Sequence, residues 1–197
     1  MFIYLRVFLF YSVVIVLFTA CTSSKRKPSP KVVNGRYDLQ LCKRELLSGM
    51  DYNVNYSIDK IVVEKREHKM YLYNNNELKK VVPISLGKNP VGPKIKRGDR
   101  KTPEGKFWIT HKRCNPKYYR SLGISYPRPS DRVLARKRGV DPGGLITIHA
   151  QLPWNTTGYG DKYTLAHDWT EGCIAVTNST MQELWYSVKK GTTIIIR

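Results

Sequence analysis

Short apolar runs rich in β-branched and aromatic residues dominate the chain beyond Ile58. Ile61-Val-Val63, Met70-Tyr-Leu-Tyr73 and the stretch from Leu78 to Leu86 read as strands, with Asn74-Asn-Asn76 as the hairpin turn between the last two. Gly87 to Pro103 is a loop carrying Gly, Pro and several basic residues, after which Phe107-Trp-Ile-Thr110 resumes as strand. From Arg113 to Gly144, prolines at 116, 127, 129 and 142 and glycines at 123, 139, 143 and 144 predict a long irregular insertion. Leu145-Ile-Thr-Ile148 is a strand delivering His149, and Gln151 to Ala166, with Trp154, Gly158, Tyr159, Gly160 and Tyr163, reads as an aromatic lid with glycine hinges.

Two stretches follow helical spacing instead. Tyr37 to Met50 places Leu39, Cys42, Leu46 and Met50 on one stripe, which predicts a helix packed on the domain. Toward the C-terminus Met181, Leu184, Trp185 and Val188 stand at i, i+3, i+4 and i+7, with a capping box at Ser179-Thr-Met-Gln182, Asn178 just before it and Gly191 as the stop. Ile174 and Val176 alternate with Ala175 and Thr177 as in a half-buried strand, and Thr192 to Ile196 is a last apolar strand. The pattern implies a mostly β fold with a few helices in a single domain.

The start of the chain belongs to none of this. Arg6 is followed by the apolar run Val7 to Ala20, ending in Leu17-Phe-Thr-Ala-Cys21, the form of a secretory signal with cysteine at its cleavage point. It resembles a bacterial lipobox, which makes Cys21 the lipidated new amino terminus and the product an exported, membrane-anchored lipoprotein on the periplasmic face of the cell envelope. An uncleaved anchor is the alternative, for which the run is short. Residues 1–20 are thus read as signal, 21–35 as a flexible tether rich in Ser, Pro and Lys, 36–56 as a helical extension and 57–197 as the catalytic domain, expected to be a monomer.

Charge changes the picture only for partners. The 197 residues hold 34 Lys and Arg against 15 Asp and Glu, a formal net charge of +19. The basic residues are scattered, and neither paired zinc ligands nor an aromatic-rich ribonucleoprotein segment accompanies them, so nucleic acid is not the expected partner. Such a charge suits anionic lipid or wall polymer, or is a solvated surface without a specific partner. Cys42 and Cys114 can pair in an oxidising compartment or remain two buried thiols.

Candidate chemistry concentrates in Asp168-Trp-Thr-Glu-Gly-Cys-Ile-Ala-Val-Thr-Asn178 and in His149. A thiol attacks a carbonyl as thiolate, so Cys173 needs a proton acceptor, which His149 can be, and Gly172 lets main-chain N–H groups come close enough to hold an oxyanion. The bland alternatives are a small buried cysteine and a hydrogen-bonded core histidine. His167 reads as structural or as a substrate contact, and His68 and His111 as surface residues. Glu171 can assist a proton transfer or cap its turn, and its carboxylate is expected to point away from the sulfur. Thr170, Trp154, Tyr159 and Arg128 are candidate substrate contacts, and Arg132, Arg136 and Lys137 further candidates for substrate carboxylates or a solvated loop. No metal or organic cofactor is required.

These residues resemble the L,D-transpeptidases with a YkuD-type catalytic domain, which remodel bacterial peptidoglycan. The family motif runs histidine, loop, Ser/Thr, His, Gly, Cys, an apolar residue, usually Arg, and a later Asn; His149, Thr170, Gly172, Cys173, Ile174 and Asn178 match it. Gly98-Asp-Arg-Lys-Thr102-Pro-Glu-Gly105-Lys-Phe and Ile84-Ser-Leu-Gly87 resemble upstream family segments, so the likeness covers roughly residues 58 to 197. Glu171 stands where a second histidine is usual and Ala175 where an arginine is usual, a variation that resembles the subset reading Asp-Trp-Thr-x-Gly-Cys-Ile-Ala-Val-Thr-Asn.

The resemblance implies a YkuD-like β-sandwich of mixed sheets and a cysteine acyl transferase acting on peptidoglycan stem peptides through a Cys173 thioester. It also implies that the Ala150 carbonyl accepts the imidazole N–H of His149 and fixes its tautomer. An L,D-carboxypeptidase or amidase hydrolysing the same bonds is the nearest alternative, and a non-catalytic wall-binding lipoprotein is the alternative of another class.

Overall fold

The structure is a computed structural model that describes residues 30–48, 56–156 and 158–197. The signal segment, Cys21, most of the tether and Met50 lie outside the described residues. The elements run β1 (Val32–Val33), β2 (Arg36–Tyr37), α1 (Gln40–Ser48), β3 (Ile58–Glu64), β4 (Lys69–Asn74), β5 (Glu77–Pro83), β6 (Gly105–Asn115) and β7 (Tyr119–Ile124). Then come α2 (Pro129–Lys137), β8 (Thr147–His149), α3 (Asp161–Leu165), β9 (Ile174–Ala175), α4 (Asn178–Ser187) and β10 (Val188–Ile196).

Eight strands form one mixed sheet in the order β5-β4-β3-β10-β6-β7-β8-β9. β10 is parallel to β3 and β8 to β9, and every other neighbouring pair is antiparallel. β6 serves both halves of the mixed architecture. Its first residues pair with β10 (Phe107 opposite Ile194) and its later ones with β7 (Lys112 opposite Leu122), with a register shift between Ile109 and His111. At that shift the His111 ring lies over Gly123, where a β-carbon would stand 2.3 Å from it. The curl brings the two edges together: Ser85, just beyond β5, exchanges N–H···O bonds of 2.9 and 2.8 Å with Ala175 of β9.

The core fills the inside of the curl with Ile61, Met70, Leu72, Phe107, Leu122, Ile148, Ile174, Leu184 and Ile194, all fully buried. Burial of such side chains is the main stabilising term, about 1.5–3 kcal/mol each. Asn75 and Asn76 both take positive φ in the two-residue turn joining β4 to β5, a conformation Asn tolerates better than most residues.

Several sequence expectations are corrected. Val32–Val33, in the expected tether, pairs as β1 with Arg36–Tyr37 at the start of the expected extension. The stripe on α1 buries Cys42 and Glu45, while Leu46 is 40 % exposed, because the helix is held by polar and covalent links. Cys42 and Cys114 form a disulfide. The buried Arg120 guanidinium bonds Glu45 and donates to the Tyr186 hydroxyl at 3.1 Å. The expected irregular insertion contains the end of β6, all of β7 and α2, since Pro129 is tolerated in the first turn of a helix. The helix α4 is capped by Thr177, whose hydroxyl accepts the Thr180 N–H at 3.1 Å, and it passes directly into β10 at Val188, before Gly191. Ile174, Ala175, Val176 and Thr177 are all buried, because that strand is covered on both faces.

Candidate active site

Cys173 stands immediately before β9, one step back from the registered pair Ile148–Ile174, which sets it across from Thr147 on β8. The Thr147 hydroxyl donates to its Sγ at 3.6 Å and the thiol donates to the Leu145 carbonyl at 3.7 Å. Leu145 holds φ +58, an uncommon conformation for a residue with a side chain, and it is what aims that carbonyl at the sulfur.

Because side chains alternate along a strand, His149 shares the face of Thr147. It is 1 % exposed, and its Nδ1 lies 2.7 Å from the Ala150 carbonyl. A carbonyl can only accept, so Nδ1 carries the proton and Nε2 is left as the lone-pair nitrogen. That Nε2 is buried and has no hydrogen-bond partner among the described residues. The imidazole is stacked on Tyr118 and meets the edge of Trp169, ring centroids 5.6 Å apart. Burial pushes its pKa down to about 4, against the opposing Ala150 carbonyl and with a small further push from Lys117. The result is a neutral base with a free acceptor.

The turn before the sulfur is fixed from below. The Thr170 hydroxyl donates to the Cys173 carbonyl at 2.7 Å and accepts the Gly172 N–H at 3.1 Å. Gly172, at φ +125, passes so close to the Lys101 carbonyl that a β-carbon would sit 2.6 Å from that oxygen. Gly87 is equally constrained, with 2.9 Å from a hypothetical β-carbon to the Gly172 α-carbon. With the Gly172 N–H committed to Thr170, the Cys173 N–H is the donor that finds no acceptor among the described residues and can meet an oxyanion.

Asp168 anchors the preceding segment, accepting the Leu86 N–H at 2.7 Å and facing His68 Nε2 at 2.9 Å. Glu171 is exposed and paired with Lys88 at 2.8 Å and Arg100 at 3.3 Å, which hold its carboxyl below the usual range. Ala175, where an arginine is usual, is fully buried between β8 and Ser85.

The remaining candidates are dispersed. Arg128 is taken up by Asp131, with bonds of 2.9 and 2.8 Å, and lies over the Phe107 ring, so it caps α2. Trp154 lies in a short 3-10 turn, Pro153–Asn155, and its ring meets Tyr163 of α3, while Tyr159 is almost wholly exposed. His167 is exposed against the edge of Tyr163. Sequence reasoning missed Thr147, Tyr118 and a contact role for Trp169. The alternation along β8 pointed to Thr147; nothing local marks Tyr118, which reaches the site from the β6–β7 turn.

YqjB of Bacillus subtilis, named among the L,D-transpeptidases, is 28% identical over 140 residues, 69% of each chain. Bd1075 of Bdellovibrio bacteriovorus shares the fold with a TM-score of 0.52 and 24% identity, over 72% of this chain and 48% of that one. The helical cell shape determining protein Pgp2 of Campylobacter jejuni gives 0.53 and 21%, over 79% of this chain and 54% of its own. The chain thus spans about half the length of these two solved structures. Residues 58–196, which include every element of the mixed sheet and both Cys173 and His149, match the YkuD family model, and the chain belongs to this family of L,D-transpeptidase catalytic domains.

Proposed function

We propose that the chain is an exported L,D-transpeptidase that acts on peptidoglycan stem peptides through a thioester on Cys173, anchored to the membrane by lipid on Cys21. The observation that carries the reading is the His149 imidazole, neutral, fixed in its tautomer by the Ala150 carbonyl and presenting a buried, unpartnered Nε2 on the strand beside the nucleophile. For the reaction the Cys173 S–H turns from the Leu145 carbonyl toward that nitrogen. Nε2 takes the thiol proton as sulfur attacks the carbonyl of the L-centre, and the Cys173 N–H meets the oxyanion. The intermediate collapses with the C–N bond breaking, and the proton on Nε2 passes to the departing amine of the D-amino acid. The amine of a second stem then attacks the thioester, gives its proton to Nε2 and returns Cys173 as thiol.

The test is intact mass. Incubated with disaccharide tetrapeptide, the protein should gain the mass of the acyl fragment on Cys173, and crosslinked muropeptide should accumulate. Cys173→Ala should do neither, and turnover by that variant would remove the proposal. Acylation followed only by release of tripeptide would assign hydrolysis in place of transfer.

A further inference from the structure

Beside the base lies a cavity of about 230 Å³ lined by Leu152, Trp154, Tyr163, Thr164, His167 and Trp169. None of the mechanism above uses it. Trp169 is the wall shared with the active site, since the same indole meets the His149 ring in an edge contact, centroids 5.6 Å apart. Trp154 and Tyr163 meet edge to face at 6.1 Å, and Tyr163 and His167 do so at 4.8 Å. Edge contacts leave ring faces open, and Trp154 and Tyr163 remain 61% and 66% exposed. In a chain with 34 Lys and Arg, none of the described walls is Lys, Arg, Asp or Glu.

We propose that this cavity is a subsite for a neutral N-acetylated sugar ring of the substrate. The assignment rests on the reading of the substrate as a peptidoglycan stem. Such a stem carries charge on its peptide, in carboxylates and an amine, while the amino sugar it hangs from is neutral. Walls without a charged carboxylate, ammonium or guanidinium therefore match the sugar and not the peptide. The C–H face of a pyranose packs against exposed aromatic side chains such as these. The volume is below the ~300 Å³ at which pockets for drug-sized ligands begin, which suits one ring. The stem residues between the reacting carbonyl and the sugar span roughly 10 Å when extended.

Calorimetry on the Cys173→Ala form of the full chain, which binds without turnover, tests the subsite with two ligands, disaccharide tetrapeptide and the same tetrapeptide without sugar. The glycan form should bind about tenfold tighter, the scale of one to two aromatic contacts. Added to Trp154→Ala or Tyr163→Ala, at side chains exposed enough to be replaced without unfolding, the ratio should fall toward one. Equal affinities in the parent, or a ratio that survives both substitutions, would overturn the subsite. The readout is a ratio of affinities, so it can fail while Cys173 acylation stands, and a failure of acylation leaves the ratio readable.

Discussion

The Tyr118 ring lies 3.9 Å from the His149 imidazole, centroid to centroid, with the two planes 22° apart. A residue from the β6–β7 turn thus covers the imidazole proposed as the base, and burial is what holds its pKa at about 4. Removing the ring in Tyr118→Ala should let the pKa climb toward the ordinary ~6.5. A base must be neutral to work, so the acid limb of the pH–kcat/KM profile should move upward by on the order of two pH units. Tyr118→Phe should leave the limb in place, since stacking needs no hydroxyl. An unmoved limb in Tyr118→Ala would assign the shielding elsewhere.

Acid should weaken the fold in two stages. His149 is lowered in the folded state to about 4, so as pH falls below ~6.5 the unfolded chain takes up a proton first and stability declines until about 4. Asp99 acts later. Burial alone would raise its carboxyl, but the Lys94 ammonium and the N–H groups of Lys96, Ile95 and Lys101 outweigh it and hold the pKa at about 2. Its contribution is complete above the unfolded value of ~3.9 and is lost as pH falls through the folded one. Urea midpoints taken from pH 7 to 3 should show a slope of up to one proton in each window. His149→Gln should flatten the upper window and Asp99→Asn the lower.

Gly172→Ala should cost stability and chemistry together. The φ of +125 is strained for any side chain, and the added carbon would press on the Lys101 carbonyl. Backbone strain of this kind costs about 1–3 kcal/mol, and relief by shifting the turn would displace Cys173. Thermal melting and the rate of Cys173 alkylation should both fall; a variant with normal values for both would mean that the loop from Lys88 to Lys101 yields freely.

The helix α1 should depend on two separate links. The Cys42–Cys114 bond spans 72 residues, a loop for which the chain-entropy estimate is about 4 kcal/mol. The Glu45–Arg120 pair is buried on both sides, so Glu45→Ala should cost about 3–5 kcal/mol by stranding the guanidinium. Denaturation of Cys42→Ser, Glu45→Ala and the double variant measures both; strict additivity would show that the two links hold the helix independently.

What was legible in the sequence is what periodicity and local chemistry record. The strands β3, β4 and β10 and the buried face of α4 at Met181, Leu184 and Trp185 follow from apolar spacing alone. Cys173 and His149 stood out as candidates because the glycine beside one and the apolar strand before the other are local features, and the structure sets His149 on β8 and Cys173 immediately before its neighbour β9. The α1 stripe misled because a disulfide and an ion pair replace apolar burial there. β7 was hidden because Pro116 breaks the pattern just before it, Gly123 interrupts it, and β8, its second partner, follows only after α2. Tyr118 was hidden because its contact is with a ring that lies 31 positions later.

The exchange of bonds between Ser85 and Ala175 bears on how Cys173 can be exposed. A short strand at the rim of an open sheet frays easily, and a two-residue strand such as β9 would be the first to open. Closure removes that rim. Amide hydrogens of Ala175 and Val176 should therefore exchange with deuterium as slowly as those of Ile61 and Ile194 in the middle of the sheet, making the turn that carries Cys173 part of the most cooperative unit in the molecule.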